Sequence, residues 1–310
     1  MPEKTFLSTK DVAQFLDVNE KMIYTLVSEK GLPATKVTGK WLFPRHLVEQ
    51  WVESHIPNAA RISSAPSPQG VLVLAGSHDL LLARVLRLFN RRYPEHLAVF
   101  CNVGSLDGVQ ALSRGLCQIA SSHLLQADED DYNFEFLIQE AGAEVAAVVN
   151  FCRREQGILL AKGNPKAIRS VADLGQSGLR IANRSTGTGT RLLFDRELHK
   201  ADIDGSQLDG YQREFGNHSD VALEVLMGRA DAAPAIRAVA NVFGLDFLPV
   251  RWERYDLLIA KQRFFQPDVQ LFLNLLHDDA VRMPAEQLGG YDLSSCGRMM
   301  FPDSIPNEDS

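Results

Sequence analysis

The sequence lacks the long apolar runs and the paired cysteines that would assign it to several common classes of protein. None of its apolar stretches approaches the roughly 18 to 20 residues that a membrane-spanning helix needs. Its four cysteines lie far apart, which argues against a zinc ribbon or a disulfide framework and fits a reducing cytoplasm. The segment 1–9 has no basic stretch followed by an apolar one, so no secretory signal is expected and we predict a cytoplasmic protein.

The chain also lacks an excess of basic residues: its net charge is −7, which by itself argues against nucleic-acid binding. The charge is unevenly distributed, however. Residues 1–58 hold seven basic and seven acidic side chains, and the remainder holds 25 basic and 32 acidic ones. Within 30–48 there are four basic residues and no acidic one. The overall charge therefore does not exclude a small DNA-binding domain at the N-terminal end.

A change in composition near residue 57 predicts two domains. The stretch 57–69 is rich in Pro, Ser and Ala and has no apolar periodicity, so we interpret it as an exposed linker. It separates a domain over 1–56 from a larger domain over 70–301, and 302–310 is interpreted as a disordered tail. With ordinary contents of hydrophobic and charged residues, both domains are expected to be globular.

The first domain carries the signals of two short helices joined by a tight turn. Ser8 and Asp11 form a plausible capping box, and Asn19 is placed to cap a second helix. A β-hairpin, or wing, is predicted over 35–43, and Pro44 is predicted to start a third helix. Two helices in this arrangement form a helix-turn-helix, whose second helix usually enters the major groove of DNA.

The pattern of 7–13, 18–24, 31–33 and 39–44 resembles the excisionase-type (MerR-like) winged helix-turn-helix. The resemblance implies that exposed residues of the second helix meet bases or phosphates and that basic residues of the wing and third helix hold the DNA backbone. These candidates are Asn19, Lys21, Tyr24, Thr25, Ser28, Lys36, Lys40 and Arg45. The alternative is that Tyr24 packs in the core and the lysines are only solvated. The modest charge predicts weak binding by one copy, hence a homodimer on paired half-sites.

In the second domain, apolar strands alternate with helices, which predicts an α/β fold with a mainly parallel sheet. Three successive strand ends carry small hydroxyl residues, at 76–79, 103–105 and 121–124. Ligands of such sheets bind at the carboxyl ends of strands, where helix N-termini favour negative charge. A fourth segment, 183–191, is rich in Gly and hydroxyls but lacks the Lys-Ser/Thr of a phosphate-binding loop of nucleotide hydrolases. We therefore expect an anion site.

The segments 104–108, 121–124, 183–191, 255–257 and 288–292 together resemble the type II periplasmic-binding-protein fold, in particular its branch related to molybdate- and tungstate-binding proteins. The resemblance implies two lobes, roughly 70–148 with 256–301 and 155–250, joined by crossover strands around a ligand cleft. By position, it implies that an oxyanion is held by hydrogen bonds rather than by many cations. The implied ligand residues, with the titratable His78 added, are Ser77, His78, Ser105, Ser122, His123, Thr188, Gly189, Thr190, Arg191 and Asp231. Helix capping alone is the competing explanation for Ser77, Ser105 and Thr188.

These features favour a one-component transcription regulator, with DNA and a small anion as partners and with neither cofactor nor metal. The resemblance makes molybdate or tungstate the first choice of effector, although sulfate, phosphate or a carboxylate would suit the same donors. One alternative is an enzyme or accessory protein of molybdenum-cofactor metabolism, in which His78 and His123 act as acid and base. We do not favour an enzyme, because no catalytic triad or metal cluster is evident in the sequence. A third possibility is a DNA-binding architectural module with an unliganded second domain.

Overall fold

The computed structural model describes residues 6–37, 40–54, 70–126, 131–141 and 146–301. The chain divides into two compact units, Met1–Ser67 and Pro68–Ser310. The predicted linker at 57–69 and the predicted tail at 302–310 lie outside the described residues. Within the described ranges, no helix is both long enough and apolar enough to cross a membrane.

The described part of the small unit contains three helices and a three-stranded antiparallel sheet in the order β1-β3-β2. Its core is formed by Val12, Ile23, Phe43 and Val48, all fully buried, each of which contributes about 1.5–3 kcal/mol to folding. The elements are β1 (Phe6–Leu7), α1 (Thr9–Phe15), α2 (Glu20–Lys30), β2 (Thr35–Val37), β3 (Lys40–Pro44) and α3 (Arg45–Ser54).

Short polar side chains set the start of the first two helices. Ser8 and Asp11 form the predicted capping box, and Asn19 caps α2 as predicted, accepting a hydrogen bond from Met22 N at 2.9 Å. The prediction that Pro44 starts the third helix is wrong. Pro44 ends β3, because its pairing with β1 holds it extended, and the sequence pattern does not reveal β1.

The large unit alternates strands and helices, as predicted. In lobe one and the first crossover strand the elements are β4 (Val71–Gly76), α4 (Leu80–Arg92), β5 (Leu97–Asn102), α5 (Ser105–Ser113), β6 (Ile119–Ser122), α6 (Phe134–Ala141) and β7 (Ala146–Leu160). Lobe two contains β8 (Asn183–Arg184), α7 (Gly189–Lys200), β9 (Glu214–Phe215), α8 (His218–Leu226), β10 (Ala232–Ile236) and α9 (Arg237–Phe243). The chain then returns through β11 (Asp246–Ala260), α10 (Pro267–Leu275), α11 (Asp279–Leu288), β12 (Tyr291–Asp292) and β13 (Met299–Met300).

Two long strands connect the lobes. The main sheet has the order β10-β7-β11-β6-β4-β5, with β4 parallel to both β5 and β6. The prediction of a mainly parallel sheet is correct only for these lobe-one strands, because β7 and β11 pair antiparallel with each other and with β10 and β6. β7 and β11 are 15 residues each and pair antiparallel from Ala146–Ala260 to Leu160–Asp246. The 256–259 end of β11 pairs with β6 of lobe one, whereas the 156–160 end of β7 pairs with β10 of lobe two. The two-lobed architecture with crossover strands is therefore confirmed.

Candidate functional site

The cleft between the lobes is bordered by strand ends and helix starts. In lobe one, β4, β5 and β6 end at the cleft and α5 begins there, and in lobe two α7 and α8 begin there. Asn102, at the end of β5, donates a hydrogen bond to the Gly216 carbonyl of lobe two at 2.9 Å. A Cβ built on Gly104, before α5, would lie 3.5 Å from Thr188 Cγ2, before α7. The lobes therefore touch along the cleft, and their helix starts face it together.

At the base of the cleft, His123 joins two strand ends to a crossover strand. Its Nε2 lies 2.9 Å from Ser77 Oγ, its Nδ1 lies 2.8 Å from Glu253 Oε2, and its backbone N–H donates to Ser105 Oγ at 3.4 Å. Burial lowers the pKa of His123, although the Glu253 carboxylate acts in the opposite direction. A neutral His123 that donates its Nδ1–H to Glu253 accepts the Ser77 hydroxyl proton at Nε2.

Arg154 extends this chain of contacts toward β4. Its Nη1 donates to Asp79 Oδ2 at 2.8 Å, its Nε donates to Glu253 Oε1, and its guanidinium carbon lies 4.2 Å from the centre of the Tyr255 ring. Asp79 also accepts a hydrogen bond from the Tyr291 hydroxyl at 2.9 Å. Two carboxylates thus offset the charge of Arg154, and they keep its pKa above the ordinary value despite burial.

Arg154 also belongs to a set of buried side chains whose nitrogens form no hydrogen bond within the described residues. We call His78, Arg154, Arg184 and His218 the cationic cluster. Among the described residues, no hydrogen bond reaches the buried His78 Nδ1, Arg154 Nη2, Arg184 Nε or either ring nitrogen of His218. Burial, with smaller effects of the charges of Arg184, Arg154 and His78, lowers the pKa of His218, so these groups interact electrostatically. Buried polar atoms are nearly always hydrogen-bonded, so this concentration of unpaired nitrogens indicates a polar ligand site.

Burial and mutual repulsion set the protonation of the cationic cluster. Burial, together with the charge of Arg154, lowers the pKa of Arg184 to about 10 against the opposing effect of Asp220, so Arg184 stays charged at pH 7. Burial and the two arginines lower the pKa of His218 well below its ordinary value. Burial also lowers the pKa of His78, against the opposing effect of Asp79. Both histidines are therefore neutral at pH 7 while Arg184 is a cation.

Arg184 is the group whose charge is least compensated. Its Nη1 donates to the Phe215 carbonyl at 2.7 Å. Within the described ranges Arg184 forms no salt bridge, and Asp220 acts on it only through its charge. The guanidinium is nevertheless almost fully buried. A buried cation without a partner is costly, and a bound anion would offset that cost.

Several predicted ligand residues have protein partners instead. Thr188 caps α7, accepting from Arg191 N at 3.3 Å and donating to the Ser185 carbonyl at 2.8 Å. Thr190 Oγ1 accepts a hydrogen bond from Gln156 Nε2 at 2.8 Å. These hydroxyls, like that of Ser77, already have protein partners, so their assignment to the ligand stays a prediction.

Ser122 stands apart from the other predicted ligand residues. Its hydroxyl is buried, and no described residue forms a hydrogen bond with it. Ser121 and Ser122 are successive residues of β6 and so face opposite sides of the sheet. Since Ser121 Oγ bonds to the Ser77 carbonyl at 3.0 Å, Ser122 faces away from Ser77.

Arg191 lies inside lobe two and is held by its own network. Its Nε is 2.8 Å from Asp195 Oδ1, its Nη1 donates to the Arg184 carbonyl and to Glu214 at 3.1 Å, and its guanidinium stacks on the Tyr211 ring. This geometry positions the backbone of Arg184, so Arg191 acts on the cationic cluster through that residue. Direct contact of Arg191 with a ligand stays a prediction.

The expectation that the Asp231 turn closes the site is wrong. Asp231 precedes β10, whose first residue, Ala232, pairs with Leu160 at the end of β7 far from the cleft. Its carboxylate accepts hydrogen bonds from the backbone and side chain of Arg180 at 2.9 and 3.2 Å. About five residues of strand, roughly 16 Å, separate Asp231 from the cleft end of β10. Asp231 therefore connects the start of β10 to the segment at Arg180.

Sequence reasoning missed most of the cationic cluster. His218 follows Asn217, the cap of α8, so it has the same strand-end and helix-start signal that identified Ser77 and Thr188. Arg184 lies in the segment 183–191 that the sequence pattern identifies, but a structural ion pair explains a lone arginine there equally well. Arg154 and Glu253 lie within long strands, where a charged residue usually marks a solvent-facing position. The cluster adds two arginines to a site at which the sequence predicts an anion held mainly by hydrogen bonds, and that prediction remains untested.

The predicted DNA-contact residues mostly lie on the surface of the small unit. Lys21, Tyr24, Thr25 and Ser28 are exposed on α2, and Tyr24 is 47% exposed, so it does not pack in the core. Lys36 and Lys40 are exposed on the hairpin.

Four of the DNA-contact candidates have partners within the small unit, among them Lys36, whose Nζ lies 5.8 Å from the centre of the Trp41 ring. The side chain of Asn19 caps α2, the Ser28 hydroxyl donates to the Tyr24 carbonyl at 3.0 Å, and Arg45 Nε lies 2.8 Å from Glu49. The free surface of α2 and the hairpin thus carries fewer polar groups than the sequence predicts, and the DNA contacts remain predictions.

Comparison with known families agrees with this architecture. The model of the PBP superfamily domain matches residues 86–277, more than half of the chain, and the chain belongs to this superfamily. The model of a helix-turn-helix domain matches residues 6–56. An uncharacterized protein of Bacillus subtilis, YvgK, is 24% identical over 310 residues, which cover 97% of this chain and 99% of YvgK.

Solved structures share the fold of the large unit at low identity. A phosphate transporter substrate-binding protein from Clostridium perfringens, with bound phosphate, is 12% identical with a TM-score of 0.55, covering 72% of this chain and 98% of that one. The regulatory domain of Synechocystis CcmR in complex with 2-PG is 15% identical with a TM-score of 0.50, covering 67% and 96%. A tungstate transporter protein from Geobacter sulfurreducens is 17% identical with a TM-score of 0.50, covering 72% and 97%. These similarities show the fold alone.

Proposed function

We propose that this protein is a ligand-responsive transcription regulator of the cytoplasm. The helix-turn-helix unit binds DNA as one half of a homodimer, and a small anion bound in the cleft of the larger unit controls that binding. The observation that carries the proposal is the cationic cluster, in which four side chains have buried nitrogens without a hydrogen-bond partner among the described residues and Arg184 forms no salt bridge with a described carboxylate. Because the chain joins a DNA-binding domain to such a site, the simplest function of the cleft is to bind a ligand that regulates DNA binding.

The lobe contacts provide a physical basis for switching. An anion placed between the lobes would touch Arg184 and His218 of lobe two and His78 of lobe one at once. It would therefore bind more tightly when the lobes touch than when they are apart, and only such a difference in affinity shifts a conformational equilibrium. The contacts Asn102–Gly216 and His123–Gly189 are the ones that such closure makes or breaks.

Molybdate or tungstate is the effector that we propose first. Support comes from the family resemblance in the sequence and from the tungstate transporter protein, which shares the fold. The phosphate-bound and 2-PG-bound structures share the same fold, so phosphate and small phosphorylated or carboxylated acids are the main competitors. Buried arginines and histidines would serve any of these anions, which makes a direct comparison necessary.

The proposal is tested by screening the full chain for thermal stabilisation by molybdate, tungstate, sulfate, phosphate and small carboxylates. A ligand that binds only the folded state raises the melting temperature. The stabilising anion is then added to a DNA-binding titration, in which a change in DNA affinity is expected. Equal DNA affinity with and without every anion would favour an architectural module instead.

A hydrolytic activity is a second candidate, favoured by one observation. Ser77, His123 and Glu253 form a hydrogen-bonded chain with the distances of a nucleophile, a base and an orienting carboxylate, although the sequence does not reveal it. All three side chains are nearly fully buried, which suits a structural role better. Hydrolysis of a chromogenic acetate ester by the pure protein, and its loss in Ser77→Ala, would support the enzyme; equal rates in both would reject it.

A further inference from the structure

A small apolar cluster crosses the cleft from lobe one to lobe two. It consists of Leu125 and Tyr132, from the segment between β6 and α6 in lobe one, and Leu193 of α7 in lobe two. Each of the three side chains is less than a tenth exposed. We call these three residues the latch. It is separate from the larger apolar cores of the unit, so the contact between the lobes is what joins its side chains.

Hydrogen bonds fix the lobe-one side of the latch. Leu125 and Tyr132 pair in an antiparallel bridge, and the residues next to them hold this bridge to lobe one. The Leu124 N–H donates to Asn133 Oδ1 at 2.9 Å, and the Leu124 side chain packs in the core of lobe one. Arg254 of β11 also donates to the Tyr132 carbonyl at 2.9 Å. Leu125 and Tyr132 therefore move with lobe one when the cleft opens.

On the other side of the cleft, α7 presents Leu193 and Arg196 to the same segment. Arg196 Nη1 donates to the Gln126 carbonyl at 3.1 Å, so a polar contact between the lobes accompanies the apolar one. The preceding residue, Leu192, is 42% exposed, so only one of two successive leucines faces the latch. A leucine side chain has no hydrogen-bond donor to offer an anion. An effect of Leu193 on anion affinity would therefore have to arise from the contact between the lobes.

We propose that the latch sets the affinity of the cleft for its anion by stabilising the closed arrangement of the lobes, without touching the anion. This inference rests on the proposed function, in which the anion binds more tightly when the lobes touch. Contacts that form only when the lobes touch favour the closed arrangement, and a ligand selective for that arrangement gains affinity from them. Burial of apolar surface is the main favourable contribution that such a contact can make.

The experiment measures anion affinity of the full chain by isothermal titration with molybdate, tungstate, sulfate and phosphate. Leu193→Ala removes most of the apolar contact between the lobes, and we expect the dissociation constant to rise about tenfold. Because the latch does not touch the anion, the factor should be the same for every anion that binds. The matched control is Leu192→Ala, which makes the same chemical change at the exposed neighbour and should leave the affinity unchanged.

A double-mutant cycle assigns the effect to the contact across the cleft. Leu125→Ala should also weaken binding about tenfold. The double variant of Leu125→Ala and Leu193→Ala should fall well short of the hundredfold product, because either truncation removes the same contact. Arg196→Met removes the hydrogen bond to Gln126 and leaves the three latch residues in place, and it should weaken binding about threefold. Far-ultraviolet circular dichroism checks that each variant is folded, and Arg196→Met decides the question if the truncated variants are not.

The possible failures are distinguishable. Unchanged affinity in these variants, a factor that differs from one anion to the next, or truncations whose effects multiply fully would each overturn this inference and leave the proposed function intact. No binding of any anion by the unaltered chain contradicts both.

Discussion

The backbone of Gly189 lies directly against the imidazole of His123 across the cleft. A Cβ built on Gly189 would be 2.6 Å from both Cε1 and Nδ1 of the ring, and 2.8 Å from the His123 carbonyl oxygen. Real Cβ atoms do not come so close to other heavy atoms, and the carbonyl belongs to the backbone, so it has little room to move. The first residue of α7 must therefore lack a side chain for the lobes to meet in this way.

Gly189→Ala should prevent the lobes from touching without disturbing either lobe. The backbone of Gly189 is helical, so alanine is conformationally acceptable, and the clash arises only with the other lobe. Overpacking of this kind costs about 1–3 kcal/mol, and we expect anion affinity to fall by that amount. Isothermal titration measures the loss. In the control, Gly175→Ala, the new Cβ meets Ile203 at an ordinary 3.5 Å, so unchanged affinity is expected there.

Arg184→Met should make the anion-free protein more stable while removing anion binding. It deletes a buried cation that has no carboxylate partner within the described ranges, at the loss of one hydrogen bond to the Phe215 carbonyl. Replacing a buried ion pair with apolar side chains is often neutral or stabilising by about 1–4 kcal/mol, and Arg184 has no salt bridge within the described ranges to lose. We therefore expect a net gain of about 1–3 kcal/mol after the lost hydrogen bond. Urea unfolding without added anion measures it; a loss of stability would contradict the account of Arg184.

Glu253 should account for part of the acid sensitivity of the large unit. Burial favours the protonated form, but His123 and Arg154 outweigh it and lower the pKa of Glu253 to about 2. A carboxyl whose folded pKa lies below its unfolded value of about 4.3 stabilises the fold above that pH, and the contribution disappears as pH falls toward 2.

Thermal unfolding between pH 6 and pH 3 tests this contribution with Glu253→Gln. The variant should be destabilised at pH 6 by about 3–5 kcal/mol, because it breaks a buried ion pair, and it should lose less further stability on acidification than the unaltered chain. The exposed Glu286→Gln serves as the control and should follow the unaltered chain. Parallel curves for Glu253→Gln and the unaltered chain would contradict the assigned pKa.

Lys36 and Lys40 should contribute to DNA affinity without determining sequence. Both are exposed on the hairpin, where phosphate contact is predicted. Replacing one of them with alanine should weaken binding to all DNA sequences alike and reduce the slope of log K against log salt by about 1. Fluorescence anisotropy at several salt concentrations measures both. Lys261→Ala, which makes the same charge change in the other unit, should leave the slope unchanged.

Much of the fold follows from local signals in the sequence. Ser8 and Asn19 mark two helix starts through hydrogen bonds to backbone N–H groups within the next three residues, and such short-range chemistry can be inferred from neighbouring letters. The strand β1 and the extended Pro44 depend on pairing across more than 35 residues. No local pattern specifies that pairing, so the start of the third helix is predicted one residue early.

A residue of the site can be predicted from the sequence only where a local feature, such as a strand end or a titratable side chain, marks it. Ser77, Ser105 and His123 sit at strand ends and are found by that position, and His78 is found by its ability to titrate. Arg154 and Glu253 are separated by about a hundred residues and are brought together by the antiparallel register of β7 and β11. Their role depends on burial, which the identity of a charged residue does not reveal.

The most direct test of the central claim is the DNA affinity of the full chain measured with and without the anion that stabilises it. We predict that this anion changes the dissociation constant for DNA at least tenfold in the unaltered protein. In Arg184→Met, DNA binding should persist but no longer respond to the anion. An anion that binds the cleft of the unaltered protein and leaves its DNA affinity unchanged would contradict the account.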